Sequence, residues 1–108
     1  MNEEKQEMMT DEELETISGG DVTIGSRHFS GHVGKYNGIV GHNYYIVLDG
    51  TTVWFYGKLL KTYEESEFVV FSKRRHKFRV TKGYGIKVPE EKTFSGDDVT
   101  LYTTMTEN

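Results

Sequence analysis

Beyond position 20 the chain alternates apolar and polar residues in short runs of period two, the pattern of half-buried β-strands. Val22 and Ile24 stand between polar neighbours and predict a strand over 21–25. Residues 26–41 carry glycine at 31, 34, 38 and 41 with Phe29, Val33 and Tyr36 between them, a density that disfavours helix and predicts strands broken by bulges or turns. Two aromatic and β-branched runs, 42–48 and 51–56, flank Asp49 and Gly50. That arrangement predicts a hairpin closed by a two-residue type I′ turn, with 58–63 extending its second strand. Phe68, Val69, Val70 and Phe71 predict a strand over 67–72, followed by a basic turn over 73–76. Phe78 and Val80 alternate with Lys77, Arg79 and Thr81 in a strand over 77–81, and Gly83 turns the chain into 84–88. Pro89 is expected to interrupt pairing over 89–92, because proline has no N–H to donate to a ladder. A turn over 95–98 leads into a last strand, 99–103. The expected fold is all-β, a small antiparallel sandwich or barrel of about six to eight strands.

The first 20 residues follow different rules. Thr10 is a good helix N-cap, and Glu13 stands where its carboxylate reaches back to the Thr10 N–H, completing a capping box. Met9 and Leu14 occupy the positions of a hydrophobic staple, and Asp11, Glu12 and Glu13 place negative charge at the positive end of the helix dipole. Leu14 and Ile17 share a face, and Gly19 and Gly20 end the helix. A helix of about two turns has little stability alone and needs a partner surface, for which Met9, Leu14 and Ile17 are its apolar offering.

Composition sharpens the boundary at Gly20. All 14 aromatic residues lie after it. Residues 1–20 hold seven acidic residues and one lysine, net −6, whereas 21–108 hold ten acidic and 12 basic residues, net +2. The two parts therefore divide as a leader, 1–20, and an 88-residue cargo, 21–108. A charge of +2 gives no reason to expect nucleic acid as a partner.

The stretch from Met9 to Gly20 resembles the double-glycine leader of bacteriocin precursors, whose pattern is approximately L-S-x-x-E-L-x-x-I-x-G-G. Glu13, Leu14, Ile17, Gly19 and Gly20 match it, and Met9 and Thr10 stand in place of Leu and Ser. The resemblance implies recognition through Met9, Glu13, Leu14 and Ile17 by an ABC transporter that carries a papain-like cysteine peptidase. It also implies cleavage between Gly20 and Asp21, after Gly19 and Gly20 have threaded a narrow cleft. The chain would be made in a bacterial cytoplasm and its mature part secreted. Export through a transporter further predicts that leader and cargo do not pack tightly together.

The chemistry available to the cargo is limited. The absence of cysteine excludes disulfides, thiol nucleophiles and cysteine zinc sites. No G-x-S-x-G, HExxH or phosphate-binding glycine loop is present, so the sequence points to a non-enzyme with no cofactor. The first 20 residues lack the apolar core of a Sec-type signal peptide, and no apolar run reaches the length of a membrane span. His28 and His32 are four apart, about 13 Å along a strand, too far to share one metal, so no metal site is expected. Gly34 and Gly38 have the spacing of a membrane helix contact, but Lys35, Tyr36 and Asn37 between them are polar. Asp97 and Asp98 form an acidic turn that solvent satisfies. Lys73, Arg74, Arg75, Lys77, Arg79 and Lys82 make the single basic cluster, interleaved with Phe71, Phe78 and Tyr84. They read either as a solvated hairpin tip or as a grip for an anionic ligand in an uncleaved small β-barrel binding module.

Overall fold

The structure, a computed structural model, describes residues 15–18, 20–68 and 71–107. Eight strands run in the order β1 (Glu15–Ser18), β2 (Asp21–Ile24), β3 (Arg27–Gly34), β4 (Asn43–Leu48), β5 (Trp54–Phe68), β6 (Phe71–Gly83), β7 (Glu90–Ser95) and β8 (Val99–Glu107). A 3-10 turn over Gly96–Asp98 precedes the last. The all-β, antiparallel expectation holds. The strands form one continuous sheet in the spatial order β1-β2-β3-β8-β4-β5-β6-β7, every neighbouring pair antiparallel.

The C-terminal strand, β8, lies at the centre, between β3 and β4. Its residues Val99, Thr100, Leu101 and Tyr102 are all buried, so the sheet is covered on both faces there. Successive strand residues point to opposite faces. Ile46 and Leu101 accordingly join one cluster with Tyr44, Phe55, Leu59, Phe78, Val80 and Val99. Their chain neighbours Val47 and Tyr102 join a second with Val22, Ile24 and Phe29. Burying each large side chain contributes about 1.5–3 kcal/mol.

The first cluster is roofed by the chain between β3 and β4. Gly38 lies so close to the sheet that a β-carbon there would be 2.8 Å from Leu101 Cδ1 and 3.0 Å from Leu59 Cδ2. The Ile39 amide donates to the Tyr44 hydroxyl at 2.8 Å, and the Gly41 amide to the Leu59 carbonyl at 2.8 Å. From β7, Phe94 packs against Phe55 and Phe78 with ring centroids 5.7 and 6.1 Å away.

Several expected elements differ. The basic stretch 73–76 is not a turn; it lies inside β6, which pairs with β5 in a long hairpin. Cross-strand ion pairs, Arg74 with Glu64 and Arg75 with Glu65, let those charges sit in a strand. Asp49 and Gly50 do not form a two-residue turn. The Leu48 amide donates to the Val53 carbonyl, which leaves a loop of residues 49–52. Thr51 stabilises this wider loop: its hydroxyl donates to the Leu48 carbonyl at 2.8 Å and accepts from the Val53 amide at 3.0 Å. Residues 84–88 are a loop rather than a strand, and Glu90–Ser95 forms the edge strand β7. Pro89 stands immediately before that edge strand, where a missing N–H leaves no ladder bond unmade.

The leader helix expected over 10–18 lies outside the described residues as far as residue 14. Glu15–Ser18 forms β1 instead and pairs with Asp21–Ile24. A two-turn helix without a partner is unstable, whereas the free edge of β2 offers backbone partners. Within the described residues the end of the leader stretch is thus a strand paired with the first strand of the cargo. No helix among the described residues is long and apolar enough to cross a membrane.

Candidate processing junction and basic sheet face

The junction between Gly20 and Asp21 sits at the turn of the β1–β2 hairpin. Ser18 and Asp21 are register partners, with two residues between them. Gly20 has φ +90°, a left-handed conformation that L side chains rarely adopt. A β-carbon there would also lie 3.1 Å from Cγ of His32. The fold itself thus asks for glycine at position 20. Asp21 lies 3.5 Å from Nε2 of His28, whose Nδ1 is 2.9 Å from the Thr23 hydroxyl. Of the expected recognition residues, Ile17 faces Val22 in the register, while Met9, Glu13 and Leu14 lie outside the described residues, as does Gly19.

Beside Gly20 opens a cleft of about 340 Å³ lined by Val22, His32, Lys35, Asp49 and Thr100, among others. Its polar groups satisfy one another. Lys35 pairs with Asp49 and donates to the Thr100 hydroxyl at 3.2 Å, and that hydroxyl donates to Asp49 at 2.7 Å. The cluster is a latch between the loop after β3, the β4–β5 loop and β8. His32 packs against Tyr102, ring centroids 5.6 Å apart. Among the described residues no group of three His, Asp or Glu side chains is placed to hold a metal ion.

The basic residues separate into two groups. Arg74 faces the side of the sheet that carries His76 and Phe78; it pairs with Glu64 at 3.3 Å and lies over the Tyr36 ring at 5.6 Å. With Lys73, Tyr36, Glu64 and Asp97 it lines a polar cleft of about 490 Å³. Arg75, Lys77 and Arg79 point to the opposite face, because alternate residues of β6 do so. There Arg75 meets Glu65 and Lys77 meets Glu91, each at 3.1 Å. Arg79 stands opposite Glu91 of β7 in the register, and Lys82 lies over the Tyr56 ring at 5.9 Å.

Two cations of this face lie outside the expected cluster. Lys58 is the register partner of Arg79, and Lys61 that of Lys77. Like charges directly opposite one another across a pair destabilise it. Scattered in the sequence among Leu59, Leu60 and Thr62, the two lysines show no cluster until β5 and β6 are paired. Tyr45 and Tyr56 pack on the same side, ring centroids 4.4 Å apart, next to Trp54, which Arg27 covers at 5.1 Å. Phe78 is fully buried and so is not part of an exposed stacking surface, whereas Tyr84 is 72% exposed.

His76, expected in an exposed turn, is buried at 2% exposure on the core-facing side of β6. Its Nε2–H donates to the Lys35 carbonyl at 2.7 Å, and its Nδ1 accepts from the Thr62 hydroxyl at 2.8 Å. Burial lowers its pKa, with a smaller push from Arg74 in the same direction; the Lys35 carbonyl opposes both. The signal was available: His76 is in phase with Phe78 and Val80, the apolar positions of the strand.

The chain matches no family model, no curated protein and no solved structure.

Proposed function

We propose that this chain is the precursor of a secreted β-domain. Residues 1–20 serve as a double-glycine leader, cut after Gly20 by a peptidase-containing ABC transporter, and 21–108 are the released protein, bacteriocin-like in biosynthesis. One observation carries this reading beyond the motif. In the spatial order of the strands β1 is terminal and pairs with β2, so a cut after Gly20 takes away an edge strand and leaves the other seven strands paired with one another. The test is the intact mass of the protein in culture medium of its native host. A species that begins at Asp21 is the expected result. Full-length protein alone, retained in expressing cells, sinks the proposal.

A second reading follows from the face carrying Lys58, Lys61, Arg79 and Lys82, where Lys58 stands opposite Arg79 and Lys61 opposite Lys77. Among the described residues Glu91 is the one acidic neighbour of both like-charged pairs, at 3.1 Å from Lys77 and opposite Arg79, so the face keeps an excess of positive charge that an anionic ligand would offset. In this reading the uncleaved chain is a binding module. Salt-sensitive retention on heparin that is lost in a Lys58→Ala/Arg79→Ala variant supports it. Retention that survives in that variant assigns the interaction to other residues.

A further inference from the structure

We propose that folding of the cargo locks the processing site, so that cleavage must come before the sheet closes. The inference rests on the precursor reading and concerns the regulation of its cleavage step.

A papain-like peptidase hydrolyses a peptide bond that lies extended and unpaired in its cleft. Water is the co-reactant, and the products are the carboxylate of Gly20 and the free amine of Asp21. The folded chain presents that bond differently. On its amino side, Glu15–Ser18 is paired with β2 through four register positions, from Glu15 opposite Ile24 to Ser18 opposite Asp21. On its carboxyl side, β2 is held from both flanks. Thr23 faces Thr16 in β1 and His28 in β3, and Val22 faces Ile17 in β1 and Phe29 in β3. Val22 and Ile24 are also anchored by burial, at 2% and 7% exposure. Gly20 itself is bent to φ +90° and lies against the imidazole of His32. A peptidase that needs an extended strand on both sides of the bond would have to unpair β1 and also draw β2 out of the core.

The two edges of the sheet point the same way. The edge strand β7 follows Pro89 and carries Glu90, Glu91 and Lys92, residues that keep an exposed edge from pairing with another chain. The sequence of β2, Asp21-Val22-Thr23-Ile24, has only one charge and no proline. It reads as a strand that is covered, and β1 covers it. The leader's last residues would therefore have two incompatible roles: substrate of the peptidase while extended, and edge strand of the sheet once the cargo has folded. A precursor that folds in the cell before reaching its transporter would remain uncut.

The test uses the full chain and a peptidase that cuts on the amino side of aspartate. Such an enzyme attacks the bond between Gly20 and Asp21 without reading the leader. The rate of that cut is followed by intact mass for three samples: the folded chain, the chain in urea at a concentration the peptidase tolerates, and a folded Thr16→Pro/Ile17→Pro variant. Successive residues of a strand direct their N–H groups to alternate sides, so the double substitution removes one bond to β2 whichever residue made it. Near-ultraviolet circular dichroism from Trp54 verifies that the variant's cargo stays folded. If opening β1 is the limiting event, the wild-type chain should be cut at least about tenfold more slowly than either other sample. Equal rates in the folded wild type and the folded variant overturn the proposal. A variant that is slow while folded and fast in urea assigns the protection to β2 and β3 rather than to β1, and overturns the role given to the leader. The precursor reading fails separately, on the absence of a species beginning at Asp21 from the host's medium.

Discussion

The Nε2 atom of His76 lies 2.7 Å from the carbonyl oxygen of Lys35, a residue 41 positions earlier in the chain. That bond ties the middle of the longest hairpin to the loop that roofs the core. With Thr62 donating to Nδ1, the neutral imidazole is satisfied at both nitrogens. Protonation would bury a positive charge close to Arg74.

Stability should therefore fall on acidification. The folded-state pKa of His76 lies below its ordinary value of 6.5, so the unfolded chain binds the proton more readily. The contribution of His76 is fully present above pH 6.5 and is lost as pH falls through the lowered folded-state pKa. The urea midpoint should drop between neutral and mildly acidic pH. A His76→Phe variant should be less stable at pH 7 by about 1–3 kcal/mol, since it strands the Lys35 carbonyl, and should show a flatter pH profile. An unchanged profile in that variant assigns the acid sensitivity to other groups.

Gly38 is where a side chain has no room. A Gly38→Ala substitution pushes its methyl into Leu101 and Leu59, both almost fully buried, and lifts the roof from the core. The expected loss is about 1–3 kcal/mol, measured by chemical denaturation. A smaller loss would mean that the loop gives way without disturbing the leucines.

Phe29 is the centre of the second cluster, fully buried and within 6.0 Å, centroid to centroid, of Tyr45, Trp54 and Tyr102. Phe29→Ala should cost about 3–5 kcal/mol, a large share of the stability of a small domain. The fluorescence of Trp54 and the denaturation midpoint should shift together. Full stability in the variant would show that β2 and β3 contribute little to the fold.

Lys58 separates stability from binding. Lys58→Glu replaces a repulsive partner of Arg79 with an attractive one, and should raise stability by about 0.2–1 kcal/mol. The same change should shorten salt-sensitive retention on heparin if the basic face binds anions. Loss of both stability and retention would show that the lysine stem, rather than its charge, matters to the hairpin.

What the sequence determined by itself is the local alternation. Val22 and Ile24, Phe78 and Val80, and Val99 and Leu101 stand two apart, and all six are buried strand residues. The turn over 95–98 before β8 also follows from residue type, whereas the expected break in pairing over 89–92 does not hold beyond Pro89, since Glu90, Glu91 and Lys92 pair with β6. What only the tertiary structure decided is which strands meet. Side-chain periodicity assigns a face and carries no information on neighbours, so the insertion of β8 between β3 and β4 has no local signature. Long-range partners overrode the local rules wherever the two conflicted. Asp49 and Gly50 gave up a tight turn for a loop whose Asp49 holds Lys35 and Thr100. The charges of 73–76 read as a turn until Glu64 and Glu65 came opposite them. Lys58 and Lys61 joined the basic face only when β5 paired with β6, and Glu15–Ser18 became a strand because β2 offered an unpaired edge.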